Sequence, residues 1–211
     1  AMLMTVEGDT QAIGYVSLGS LNEKVKAVKV EGVDATAENV ADGSYKIARP
    51  FNIAYKTDGQ SDLSKDFIAY IMSAEGQTII NEHGYVGSND AAAYEGNGAE
   101  GKLVVGGSSS VSPIMEKLIE AYKAVNPKAD IELQTTDSTT GMTAAIDGTY
   151  DIGMASRELK DDEAAALSHQ AIAMDGIAII VNQANPTDEL SVEQIGSIFT
   201  GDLTKWNEIV K

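Results

Sequence analysis

The chain has 211 residues, 43% hydrophobic and 22% charged, with a formal net charge of −17 and no cysteine. That length and composition give one large or two small folded domains rather than a disordered chain. The acidic balance excludes nucleic acid as a partner, because affinity for it rests on Lys and Arg neutralising phosphates, and the lack of cysteine excludes disulfides, thiolate metal sites and a Cys nucleophile.

A small anion is not excluded in the same way, since salt screens distant carboxylates over ~8 Å and local donors decide its binding. No apolar run approaches the ~20 residues that span a bilayer. Residues 1–9 show neither the basic flank nor the apolar stretch of a leader peptide, so any leader is expected upstream or already removed.

In chain order, AIGYVSL (12–18), VKAVKV (25–30) and KIARPFNIAY (46–55) read as strands. Thr36 caps a short helix, AENVADG, that stops near Gly43. Leu63, Phe67, Ile68, Ile71 and Met72 recur at spacings of three and four, giving a helix capped by Ser61 or Asp62. Ser73 caps a second helix that ends before Gly84. Residues 87–101 are mostly Gly, Ala and Asn with three carboxylates, the composition of a linker or exposed connection.

Beyond residue 101 strands and helices alternate. KLVVGG (102–107), IELQT (131–135) and DIGMA (151–155) are strands, and helices follow at 113–125, 140–148 and 158–167. HQAIAMD and GIAIIVN (169–182) read as two more strands, and SVEQIGSIF and TKWNEIV (191–199, 204–210) as closing helices. Such β–α repeats with apolar strands predict an α/β fold, a mostly parallel sheet with helices on both faces.

Ligands of such sheets sit outside the carboxyl ends of the strands. Three successive exits there carry Ser108-Ser109-Ser110-Val111-Ser112-Pro113, Thr136-Asp137-Ser138-Thr139-Thr140-Gly141 and Ser156-Arg157. Arg49 and Arg157 are the two arginines of the chain. Helix starts offer unpaired N–H groups and partial positive charge, and they bind phosphate or sulfate. Ser and Thr add neutral donors, and an arginine adds a planar fork. One such turn is more simply a helix cap; three at one sheet edge point to an oxyanion site.

The stretches KLVVGGSSSVSPIMEKLIEAY, IELQTTDSTTGMTAAIDGTYDIGMASRELKDDE, AIAMDGIAIIVNQANP and LSVEQIGSIFTGDLTKWNEI closely resemble the amino-terminal lobe of the phosphate-binding proteins of high-affinity phosphate ABC transporters (PstS-like, type II periplasmic binding proteins). AIGYVSLGSLNEKVKAVKVEGV, YKIARPFNIAYKT and DFIAYIMSAEGQTIINEHGYV resemble the carboxyl-terminal part of the same family. The family's closing segment thus precedes its opening strand. Either two family domains in tandem are cut across their junction, or the chain is circularly permuted; the composition of 87–101 favours the tandem cut.

The resemblance implies a periplasmic-binding-protein-like lobe at 101–211, closing helices at 58–86 packed on it, a linker at 87–100 and a partial second lobe at 1–57. It implies phosphate held by Ser109, Ser110, Ser138, Thr139, Ser156 and Arg157. In some members an Asp stands at the place of Ser156 and accepts a phosphate proton; Asp175 is the candidate substitute, and the residues themselves admit phosphate or sulfate. The family's second-lobe Arg with its Gly-Ser-Gly-Thr type loop is not found in this sequence. The implied partners are inorganic phosphate and a membrane ABC permease, with no cofactor, no metal and no enzymatic activity. The implied location is extracytoplasmic, periplasmic or as a cell-surface lipoprotein.

Other readings stand beside this one. A tandem or truncated copy would act as a sensor or scaffold, and an incomplete second lobe would self-associate by segment exchange. A hydrolase built on Ser109 or Ser110 lacks a base nearby in sequence. GNGAEG (96–101) matches GxGxxG but precedes a strand instead of following one, so it is no dinucleotide fingerprint. His83 and His169 read as surface residues, Trp206 as packing, Arg49 as structural, and Asp161-Asp162-Glu163 as a solvated first helical turn.

Overall fold

A computed structural model describes residues 2–209. Along the chain run α1 (Met2–Gly8), β1 (Ile13–Ser17), β2 (Val25–Ala27), β3 (Lys29–Val30), α2 (Ala37–Ala41), β4 (Ala48–Tyr55), α3 (Asp62–Met72), α4 (Ala74–Glu82), β5 (Gly101–Ser108) and α5 (Ser112–Val125). There follow β6 (Ala129–Thr136), α6 (Ser138–Asp147), β7 (Ile152–Ala155), α7 (Asp161–Ala166), β8 (Ser168–Asn182), β9 (Glu189–Leu190) and α8 (Val192–Thr200). The expected caps form: Thr36, Ser61, Ser73 and Ser191 each accept a first-turn N–H, from Asn39, Ser64, Gly76 and Gln194.

Two compact units result, Ala1–Ala48 with Asp175–Lys211, and Arg49–Met174. In the second unit β6, β5 and β7 are parallel neighbours, with Val105 opposite both Leu133 and Ile152. β4 joins β7 antiparallel, Ile53 facing Met154. On one face α3, α4 and α5 bury Phe67, Ile71, Ile80, Leu118 and Tyr122 against Leu103, Val105, Ile131 and Ile152. On the other, α6 brings Met142 and Ala145 onto Ala54, Ala155 and Leu167. In the first unit β1 and β2 pair antiparallel with the second half of β8, Ile13 facing Val181 and Val25 facing Asn182. Val6, Val25, Ala178 and Ile180 form its core. β3 and β9 make a separate parallel pair.

The fold is α/β, but its sheet pairing is mixed: β1 and β2 run against β8, and β4 runs against β7. The expected boundaries also shift. Residues 175–209 group with 1–48 instead of with 101–174, because β8 gives its second half to β1 and β2. The two strands read across 169–182 are one strand, and Gly176 does not break it. It is extended and buried, and a Cβ there would lie 2.4 Å from Leu18 Cδ1 and 2.7 Å from Val40 Cγ2. The glycine makes room for those side chains. TKWNEIV forms a 3-10 turn at Trp206–Glu208 instead of a helix, with Val210 outside the described residues.

Residues 87–100 carry no regular structure but are no linker between units; they lie inside the second unit and are tied down along their length. Ala74 donates to the Ala92 carbonyl (2.8 Å), and the Tyr94 N–H to Glu75 (2.8 Å). The Tyr94 hydroxyl and the Asn97 N–H reach Asp66 at 2.6 and 3.1 Å. Asn126 holds the Ala99 carbonyl at 2.7 Å. Asp66 is only 3% exposed and also accepts the Tyr122 hydroxyl at 2.6 Å. Burial, and then the Asp66 carboxylate, push the Tyr122 hydroxyl up to about 12. Hydrogen bonds to a charged acceptor contribute about 1.5–3 kcal/mol each. Tyr94→Phe is expected to cost about 2 kcal/mol in urea unfolding and to open 87–100 to proteolysis; unchanged stability would show that the strap is not held by Asp66.

Candidate functional site

The exits of β5, β6 and β7 are adjacent in the second unit. Close packing of α6 brings their hydroxyls together. The Ser138 Oγ, in the first turn of α6, accepts the Ser156 N–H at 3.1 Å. The Ser108 hydroxyl lies 3.0 Å from Ser156 Oγ, and Ser108 Oγ accepts the Ser110 N–H at 3.3 Å. Ser112 donates to the Ser108 carbonyl and receives the Thr135 hydroxyl at 2.9 Å. Ser108 and Ser112 are buried, Ser110, Ser138 and Ser156 half-buried, and Ser109 and Thr139 exposed. A chain of hydroxyls thus crosses the three exits.

Arg157 leaves the β7 exit with its carbonyl held by Asn52 Nδ2 at 2.9 Å. Its guanidinium forms two parallel bonds to Glu163, 2.7 Å to Oε2 and 2.8 Å to Oε1, a bidentate pair. It also reaches the Glu158 carbonyl at 2.9 Å and Thr139 Oγ1 at 3.4 Å. Glu163 is not the solvated residue the sequence suggests: it is 5% exposed and also accepts the Lys160 N–H at 2.9 Å. The hydrogen bond from Arg157 holds the Glu163 carboxyl below its ordinary range against the opposing effect of burial, and the same bond raises Arg157.

The α6 start is also partly satisfied from within. Asp137 caps it, accepting the Thr139 and Thr140 N–H groups at 2.9 and 3.0 Å and the Thr140 hydroxyl at 2.6 Å. The Thr140 hydroxyl bond, then its N–H, lower the Asp137 carboxyl. The Ser109 N–H is spent on the Thr136 carbonyl at 3.1 Å. What these exits present is therefore mainly hydroxyl groups, with one guanidinium at their margin.

Of the residues read from the sequence, Ser110, Ser138, Thr139, Ser156 and Arg157 come together, and Ser109 lies exposed at the same β5 exit. Asp175 lies outside the second unit's strand exits in sequence. It belongs to the first unit, is fully buried, and accepts the Ser17 hydroxyl at 2.5 Å. Ser108 and Glu163 are the residues that sequence reasoning passed over. Ser108 was visible as the first hydroxyl of its turn. Glu163 is six residues past the arginine, on the first turn of α7, and nothing in the spacing alone distinguishes it from Asp161 or Asp162. His83 is engaged through Nδ1 with the Ile79 carbonyl, and Trp206 donates to the Gln11 carbonyl.

Comparison with known proteins gives first the class. A family model described as the PBP superfamily domain matches residues 92–210. Over all 211 residues the chain is 50% identical to phosphate-binding protein PstS 2 of Streptococcus agalactiae, spanning 72% of that protein. It is 43% identical over 209 residues to PstS 2 of Streptococcus pneumoniae, again 72% of its length. The crystal structure of a phosphate-binding protein of a phosphate ABC transporter from S. pneumoniae matches with a TM-score of 0.85 at 43% identity, over 98% of this chain and 80% of that one. A phosphate ABC transporter substrate-binding protein from Clostridium perfringens, solved with bound phosphate, matches 51% of this chain and 45% of its own at 42% identity, with a TM-score of 0.50.

The chain belongs to the PstS-type phosphate-binding proteins of the PBP superfamily. Its order of segments is shared by the streptococcal relative along the entire alignment, and the chain is 72% of that relative, which leaves no room for two complete tandem copies. The expected tandem cut is therefore corrected; a permuted order accounts for the arrangement.

The Glu163 carboxyl, lowered from an ordinary 4.5, gives a pH prediction. A depressed folded value means that ionised Glu163 stabilises the fold fully above its unfolded value and that this contribution is lost as pH falls through the folded one. Urea unfolding followed below pH 4.5 should show a loss of stability that is smaller in Glu163→Gln. An identical acid profile in both proteins would show that the pair does not stabilise the fold.

Proposed function

We propose that this chain binds inorganic phosphate as the solute-binding component of an ABC importer and passes it to a membrane permease from the extracytoplasmic side, periplasmic or anchored at the cell surface. One observation carries the reading: Ser108, Ser138 and Ser156 lie within hydrogen-bond reach of one another or of each other's backbone at three adjacent strand exits, with Arg157 beside them. Tetrahedral oxyanions need several donors converging from different directions, and neutral hydroxyls supply them without demanding a compensating charge. Ser109, Ser110, Ser138, Thr139, Ser156 and Arg157 are the proposed contacts. The PstS relatives and the phosphate-bound structure from C. perfringens favour phosphate over sulfate.

A binding module fits these hydroxyls better than a hydrolase. They bond one another and backbone groups, not an imidazole or carboxylate able to take a proton. No helix among the described residues is long and apolar enough to cross a membrane. Self-association by segment exchange accords with the exposed Met4, Tyr15 and Phe199 of the first unit, and a strictly monomeric chain in concentrated light scattering would contradict it.

Titration calorimetry tests the main proposal. Phosphate should bind with saturable heat. Ser138→Ala should weaken binding by about tenfold, and Arg157→Ala by about ten- to a hundredfold, the range for a neutral and a charged hydrogen bond. No heat at millimolar phosphate would overturn it.

A further inference from the structure

We propose that Glu163 is a built-in counter-ion that competes with the ligand for Arg157, so that anion binding exchanges one partner of the guanidinium for another. The inference rests on the phosphate reading above and concerns how that site is tuned.

A guanidinium has five N–H donors. Here Nη1 gives bonds to Glu163 at 2.7 Å and to the Glu158 carbonyl at 2.9 Å, while Nη2 gives bonds to Glu163 at 2.8 Å and to Thr139 Oγ1 at 3.4 Å. The planar fork that recognises an oxyanion is thus already filled, by an oxyanion of the protein itself. A phosphate held by the neighbouring hydroxyls gains the fork only if Arg157 turns away from Glu163.

Burial decides which partner moves. The Glu163 side chain is 6% exposed and that of Arg157 30%. Glu163 is also fixed by the Lys160 N–H at 2.9 Å, which stays in place when the guanidinium leaves. The longest of the four contacts, to Thr139, points toward the hydroxyls, so the arginine's path to the ligand is short. The consequence is selectivity. With its charge already balanced, Arg157 attracts anions in general only weakly, and an anion must also match the converging hydroxyls to offset the broken pair.

Glu163→Gln keeps the shape and removes the charge. Phosphate should then bind at least about fivefold more tightly, the effect of one unit charge ~4 Å away even with the full screening of bulk water. Sulfate and acetate should gain at least as much, so discrimination shrinks, even though the variant unfolds at a lower temperature. A purely structural Glu163 predicts the reverse, weaker or unchanged phosphate binding together with lower stability, and that result overturns the inference. Should the variant not fold, the parent chain decides: side-chain nitrogen resonances of Arg157 move on saturation with phosphate if the exchange occurs. Phosphate binding with those resonances unmoved overturns the exchange alone, whereas a parent chain that takes up no phosphate removes the functional reading and the exchange together.

Discussion

The site depends on how closely α6 lies against the sheet. A Cβ on Gly141 would sit 2.7 Å from Gly107 Cα and 2.9 Å from the Met154 carbonyl oxygen, and one on Gly153 would sit 2.7 Å from the Gly141 carbonyl. Backbone therefore meets backbone where any other side chain would hold the helix off. Gly107 adds a φ of 137°, a conformation that L side chains rarely adopt, with Met154 O 2.3 Å from where its Cβ would be. This contact sets the height of the α6 start above the strand exits and hence the meeting of Ser138 with Ser156.

From that geometry follows an unusual charge balance. The chain carries −17 overall, and two carboxylates, Asp137 and Glu163, stand beside the hydroxyls. Each is satisfied before any ligand arrives, Asp137 by the first turn of α6 and Glu163 by Arg157. A carboxylate that is already saturated with donors repels an incoming anion less than a bare one, because its donors' dipoles oppose its charge. In such a setting neutral donors do most of the binding, and the arginine acts as an adjustable increment.

Much of this was legible in the sequence. Ser61, Ser73 and Thr36 announced their helices because capping is a local interaction between a side chain and N–H groups two or three residues away. The three hydroxyl-rich turns were legible because alternating apolar strands and amphipathic helices place them at one edge. What depends on partners distant in sequence was not. Asp66, far from Tyr94 along the chain, turned an apparent linker into a strap. Gly176 looked like a strand break because its role is to admit Leu18 and Val40 from elsewhere in the chain. Asp175, which the sequence reading sets at a strand end, lies inside β8 and accepts the hydroxyl of Ser17, a partner 158 residues away along the chain. Glu163 looked solvated because acids in a first helical turn usually are.

The most direct measurement is a crystal of this chain soaked with arsenate, with the anion located by its anomalous signal. The account predicts one strong peak within hydrogen-bond distance of Ser138 and Ser156, with the Arg157 guanidinium turned toward it. A peak elsewhere on the chain, with the Ser138–Ser156 corner empty, would contradict it.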